Sequence, residues 1–288
     1  MVVVTAGCGD STDVGEGPRI VATTTILGDL ARNVVGEAGT VEVLLPIGAD
    51  PHDYQASSRQ VALIQEADLV LANGLGLEEG LEDVLEGAVA DGAEVLFLAE
   101  YLSPLPFEGD DPEHDQDPHV WLDPKRMADG VELLGTTLAD IATGDWEARA
   151  ESYRNQVLAA DGEVSAILAA IPQESRKLVT NHRSLGYFAA RYGFTVVGTV
   201  VPGGSTLADP SSAELAALVD EIRAQEVPAV FAETTEAAAL AAAVAAEAGE
   251  DIAVVDLYTG SLGEEGSGAE TLIDLWLTNA RLIAEALS

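Results

Sequence analysis

The sequence predicts an α/β fold of two lobes, each with a mainly parallel four-stranded sheet flanked by helices, the lobes joined by one long linker helix. Three observations predict it. Short β-branched runs alternate with stretches carrying apolar residues at helical spacing, the pattern of parallel βα units. The alternation occurs twice, with four strand candidates in each half. Between the halves, residues 146–171 run without a proline, and Tyr153, Val157, Ala160, Val164, Ile167 and Ile171 form a stripe at spacings of three and four. At 1.5 Å per residue that helix spans on the order of 35 Å, enough to run along both lobes.

A polar leader, 1–17, precedes the first lobe at 18–145, whose strand candidates are RIVATTTI from Arg19, VEVLLPIG from Val41, ADLVLANG from Ala67 and EVLFLAE from Glu94. Between them lie helical stretches LGDLARNVVGE, SSRQVALIQEA and GLEDVLEGAVA. The linker helix occupies 146–171, and the second lobe, 172–288, repeats the plan with KLVTNH from Lys177, FTVVGTVV from Phe194, PAVFAET from Pro228 and IAVVDLY from Ile252. Its helices are RSLGYFAARYG, SSAELAALVDEIRAQ, the Ala-rich run 236–248 and ETLIDLWLTNARLIAEAL. Two lobes of similar plan leave a cleft between them, and one stiff helix is a poor hinge for wide opening.

Fifty acidic residues against thirteen basic ones give a formal charge of -37. A surface so acidic repels a phosphate backbone, which excludes nucleic acid as a partner, and attracts cations. The single cysteine, Cys8, excludes an internal disulfide. It lies in VTAGCGDST, which resembles the end of a bacterial lipoprotein signal, in which the Cys becomes the lipid-bearing residue. Thr5 stands where Leu is usual, and the charged and long apolar parts of such a signal are absent. Lipid on Cys8 would attach the chain to a membrane at its N-terminus only, since no later run reaches the ~18 apolar residues of a membrane span.

Ligands of parallel sheets bind beyond the carboxyl ends of the strands. His52, in ADPHDY, follows the second strand candidate; His119, in DPHVWLDP, follows the fourth; His182 ends the fifth in LVTNHRSLGYFA. Three of the four histidines therefore fall on the functional edge, two from the first lobe and one from the second. Neutral imidazole is the commonest transition-metal ligand, and a nearby carboxylate or carbonyl fixes its tautomer. Asp117 and Asp123, with Pro118 and Pro124, would hold His119 stiffly, and Asp50 and Asp53 flank His52 in the same way. Trp121 and Tyr54 read as packing residues that shape these loops, and Gly203 and Gly204 as a turn. His114, in the acidic stretch FEGDDPEHDQ, lies in a segment that reads as a solvated loop, with weak metal capture as the sharper alternative.

At these residues the chain resembles the metal-binding family of ABC-transporter solute-binding proteins, which capture zinc or manganese outside bacterial cells. GADPHDYQAS, ADLVLANGLGLE, DPHVWLDP, NHRSLGYFAARYG, VPGGSTLADPSSAELAALVDEI and AVFAET match family stretches in order, from about Ile20 to the C-terminus. The resemblance implies two lobes joined by a long helix, a metal held in the cleft and a monomer that hands it to a membrane permease. It implies His52, His119 and His182 as metal ligands. Manganese-type members often carry Glu at the place of His182, so an imidazole there favours Zn2+ over Mn2+ as the transported ion, as does the affinity of imidazole for zinc. The family often supplies an Asp in the loop after the last strand, where this chain has Gly260. Glu233, ending the AVFAET strand, is the candidate fourth or outer ligand, with a helix-capping or solvated acid as its alternative.

Other functions are weaker on the same residues. A metal-dependent hydrolase would also use three histidines and an open position, but HExxH and GxSxG are both missing. An adhesin on the same fold would keep its partner with all three histidines replaced. A receptor for an organic solute would need anchoring donors such as Arg in the cleft motifs, which carry His and Asp instead.

Overall fold

The computed structural model describes residues 17–107, 115–236 and 238–288. Cys8 and His114 lie outside them. The first sheet contains β1 (Arg19–Ala22), β2 (Thr40–Val43), β3 (Leu69–Ala72) and β4 (Val95–Phe97), all parallel in the order β2-β1-β3-β4. The second contains β5 (Lys177–Thr180), β6 (Thr195–Thr199), β7 (Ala229–Glu233) and β8 (Ala253–Leu257), parallel in the order β6-β5-β7-β8. The two sheets thus share one topology, with the strand order reversing beside the first strand of each, the place where open α/β sheets bind ligands.

Helices α1 (Thr25–Val35), α2 (Ser58–Glu66) and α3 (Glu82–Ala90) flank the first sheet, and α6 (Gly186–Tyr192), α7 (Ser212–Gln225), α8 (Ala239–Ala248) and α9 (Leu272–Leu287) accompany the second. Their starts are written in the sequence. Thr24 caps α1 by accepting from the Leu27 N–H, and Ser211 with Glu214 forms a capping box on α7. The Ala-rich helix begins only at Ala239, since the turn after β7 takes up the residues before it. Among the described residues no helix is long and apolar enough to cross a membrane.

The helix absent from the predicted elements is α4 (Pro124–Ile141). Its cues are present: Asp123 accepts from the Lys125 N–H as N-cap, Pro124 occupies the first turn, and Met127, Val131, Leu134 and Leu138 are buried at spacings of three and four. Pro124 therefore starts a helix rather than stiffening the His119 loop. Asp123, expected beside His119, instead caps α4 and pairs with Arg126 and Arg191.

The long helix α5 spans Trp146–Leu168 and turns back toward α4 through the short connection 142–145. Gly135 of α4 faces Ala150 of α5 so closely that an added Cβ would lie 2.5 Å from the Ala150 Cβ. Neither atom can rotate away, so the helices would have to separate. Gly135→Leu is expected to destabilise the fold by about 1–3 kcal/mol, the usual cost of overpacking, read as a lower urea midpoint at unchanged slope.

One continuous apolar cluster joins both lobes, combining Ile20 and Leu71 of the first sheet, Val157 and Val164 of α5, Phe231 of the second sheet and Trp276 of α9. A buried polar pin crosses it. Asp29 of α1 accepts from the Tyr153 hydroxyl of α5 at 3.2 Å and from the Leu272 N–H that opens α9 at 3.1 Å. With apolar contact and hydrogen bonds spanning the junction, the lobes present a set cleft at the carboxyl ends of both sheets.

Candidate metal centre

The loop after β2 carries His52, the loop after β4 carries His119, and β5 runs straight into His182. All three are buried, between 1% and 3% exposed. Each offers one ring nitrogen, and the three lie within 4.8 Å of one another. The Nε2 atoms of His119 and His182 are 3.0 Å apart, and His52 Nε2 is buried with no hydrogen-bond partner. Three nitrogens at the corners of a zinc tetrahedron with bonds of 2.0–2.1 Å would be about 3.3 Å apart, so the cluster is already near that size. Facing lone pairs at such distances repel unless a proton or a cation lies between them.

Behind each ring stands a carboxylate on Nδ1. Asp117 Oδ1 lies 2.8 Å from His119 Nδ1, Glu233 Oε1 lies 2.7 Å from His182 Nδ1, and Glu79 Oε1 lies 3.3 Å from His52 Nδ1. With these oxygens accepting, Nδ1 keeps the proton and Nε2 is left as the donor atom for an ion. Asp117 follows the expectation. Around His52 the outcome differs: Asp53 is exposed, and Asp50 accepts from the His52 backbone N–H at 3.1 Å and from the Thr206 hydroxyl, so neither orients the ring. Glu79, which does, sits 27 residues along the chain and left no local signal.

Glu233 ends β7, and β5 and β7 are parallel neighbours with Thr180 opposite Phe231. Two residues further on, that register sets His182 beside Glu233. Glu233 Oε1 also accepts from the Ser184 hydroxyl at 3.1 Å, and Oε2 from the Thr259 hydroxyl at 2.6 Å. Both oxygens are engaged on the outer side of His182. Gly260 lines the pocket, as do Asp50, Trp121 and Thr235, and the space they enclose is about 10 Å3. That is room for about one water molecule, hence an ion and no organic molecule.

The electrostatics separate the rings. Burial drives His119 well below the usual imidazole range, with His182 and His52 adding to it, while burial also pushes the Asp117 carboxyl up to about 7. Burial acts on His182 in the same downward sense and is the largest single influence, but Glu233, Asp50 and Asp117 together outweigh it and the net shift is upward. Glu233, despite a desolvation that would raise it, is held down to about 2 by His182. These shifts favour a His182–Glu233 ion pair and a neutral His119 in the metal-free protein.

Trp121 is buried, its ring 5.2 Å from that of His119, and Tyr54 accepts from Gln60 through its hydroxyl, so both shape their loops as packing residues do. Gly203, at φ +92, makes the turn expected of the paired glycines.

Over nearly its whole length the chain is similar to known metal-binding proteins. The manganese-binding lipoprotein MntA of Halalkalibacterium halodurans is 32% identical over 295 residues, covering 100% of this chain and 96% of that protein. The zinc-binding protein TroA of Treponema pallidum is 28% identical over 278 residues, covering 94% of this chain and 89% of that protein. The solved structure of the periplasmic zinc-binding protein TroA from Treponema pallidum superposes with a TM-score of 0.87 at 27% identity, covering 94% of this chain and 99% of that one. Residues 20–286 match the family described as zinc-uptake complex component A, periplasmic, and the chain belongs to that family.

Proposed function

We propose that this protein is the extracytoplasmic substrate-binding protein of a metal ABC transporter, taking one divalent transition ion between His52, His119 and His182 and delivering it to the permease. The observation that carries the reading is the convergence of three buried imidazole nitrogens, each ring backed by a carboxylate. The ion is cargo, and the family to which the chain belongs consists of binding proteins rather than enzymes. An enclosed space of about 10 Å3 favours an ion over an organic solute or a hydrolysable substrate.

Zinc is the favoured cargo. Three neutral imidazoles suit Zn2+, whereas Mn2+ is better served by carboxylate and water. Gly260 offers no side chain to the pocket, and the oxygens of Glu233 are turned to His182, Ser184 and Thr259, so Glu233 acts on the outer side of the ring and water completes the shell. Manganese is the second reading, because a manganese-binding lipoprotein is 32% identical over the whole chain. Lipid on Cys8 would keep the monomer at the outer face of the membrane.

Competitive titration of stripped protein with zinc and manganese, with native mass analysis, tests the reading. One zinc per chain, bound far more tightly than manganese, is expected. Manganese preference would transfer the assignment to the second reading, and no tight metal of either kind would end it.

A further inference from the structure

Thr259 occupies a position that joins the two halves of the site. It lies in the loop after β8, 2% exposed, and touches none of the three rings through a hydrogen bond. Its hydroxyl donates to Glu233 Oε2 at 2.6 Å, and Glu233 Oε1 holds His182 Nδ1. Its backbone carbonyl accepts from the Trp121 indole N–H at 2.6 Å, and Trp121 is two residues from His119 in the same 3-10 turn. Trp121 is itself fixed through its carbonyl, which accepts from the Trp276 indole N–H at 2.8 Å. The same loop is bonded to the first lobe three times more: the Gly48 N–H donates to Ser261 Oγ at 2.9 Å, the Leu262 N–H to Thr25 Oγ1 at 2.9 Å, and the Thr25 and Ser261 hydroxyls lie 3.3 Å apart. The loop therefore belongs to the second sheet by chain and to the first lobe by hydrogen bonding.

We infer that Thr259 is a positioning residue for metal capture, fixing the plane of the His182 ring through Glu233 while its carbonyl, held by Trp121, references that plane to His119 in the opposite lobe. The inference rests on the three-histidine reading above. The reason is geometric. Ser184 hydrogen-bonds Oε1, which the His182 Nδ1 faces at ion-pair distance, so the Thr259 hydroxyl is the side-chain donor that holds Oε2. Without it the carboxylate is free to twist about its last torsion, which is broad and soft, and the ring on Oε1 twists with it. A ligand ring turned away from the line of its lone pair loses affinity, and outer partners of metal-bound histidines are worth about 10–100-fold in binding.

Thr259→Val keeps the shape and the backbone carbonyl but removes the hydroxyl; Thr259→Ser keeps the hydroxyl. Zinc and cobalt affinities of the full chain would be measured by competition at about pH 8, above the ordinary imidazole range, together with the visible spectrum of the cobalt-loaded form and the melting temperature of the stripped form. The expected result is binding weakened about tenfold in Thr259→Val with an altered cobalt spectrum, and both restored in Thr259→Ser. Thr259→Val binding within about twofold of wild type, or Thr259→Ser as weak as Thr259→Val, would overturn the inference while wild-type binding leaves the three-histidine reading standing. Absence of tight metal in the wild type would overturn both.

Discussion

Replacing His182 by alanine is expected to weaken zinc binding by more than about 100-fold, because loss of an outer partner alone already costs 10–100-fold and here a ligand itself is removed. The substitution also strands Glu233, which is 3% exposed and ionised against the imidazolium. Breaking a buried pair by deleting one partner costs about 3–5 kcal/mol, so His182→Ala should melt earlier even without metal. His182→Gln separates the effects, since its amide can still donate to Glu233 while offering no imidazole. Weak binding in both variants, with stability largely regained in His182→Gln, is the expected pattern in titration and thermal melts. The sign of the pair's contribution follows from the shifts. His182 is raised on folding, so its share is present at low pH and is lost as pH rises through its folded value; Glu233 is lowered from 4.5 to about 2, so its share is present above 4.5 and is lost as pH falls toward 2.

The second large effect is on pH dependence. A ligand protonated in the metal-free protein must release that proton before it binds, which costs a factor of ten per pH unit below its pKa. His119, driven well below the imidazole range, has no proton to release near neutrality, whereas His182, raised by Glu233, has one. Between about pH 6 and 7 the logarithm of the zinc association constant should rise by less than three per pH unit, because His119 contributes no proton. Removing the carboxylate removes the cause of the upward shift, so Glu233→Gln should flatten the slope by about one while lowering affinity at pH 8 by 10–100-fold. Competition titrations across that range, with the released protons counted calorimetrically in two buffers, give the slope directly. A slope of three would mean that His119 is not neutral.

The strands were legible because a buried parallel strand is a short β-branched run whatever its neighbours, and the cores of β3 and β7 match their predicted runs. The helix α4 was hidden by the very residues that drew notice. Asp123 and Pro124 form a cap and a first turn, but beside His119 they read equally well as a rigid ligand loop. The three histidines were legible from topology, since loops beyond strand ends converge on the same edge. Their partners divide by distance in sequence. Asp117 could be named because it lies two residues from its ring, while Glu79 and Thr259 could not, because only the packing of one loop on another brings them there. Glu233 lay between: its strand end was visible, but the strand order that sets β7 against β5 decides that it meets the Nδ1 side of His182. A carboxylate at the end of a parallel strand is ambiguous between holding an ion and holding a ligand until its neighbour strand is known.

One ion is expected to sit among three imidazoles drawn from both lobes. The most direct measurement is anomalous diffraction at the zinc absorption edge from crystals of the zinc-loaded protein. One buried peak is expected about 2.0–2.1 Å from a nitrogen of each of His52, His119 and His182, with the Glu233 oxygens still on the far side of the His182 ring. A peak on the acidic surface, or a buried one with any of the three rings turned away, would contradict it.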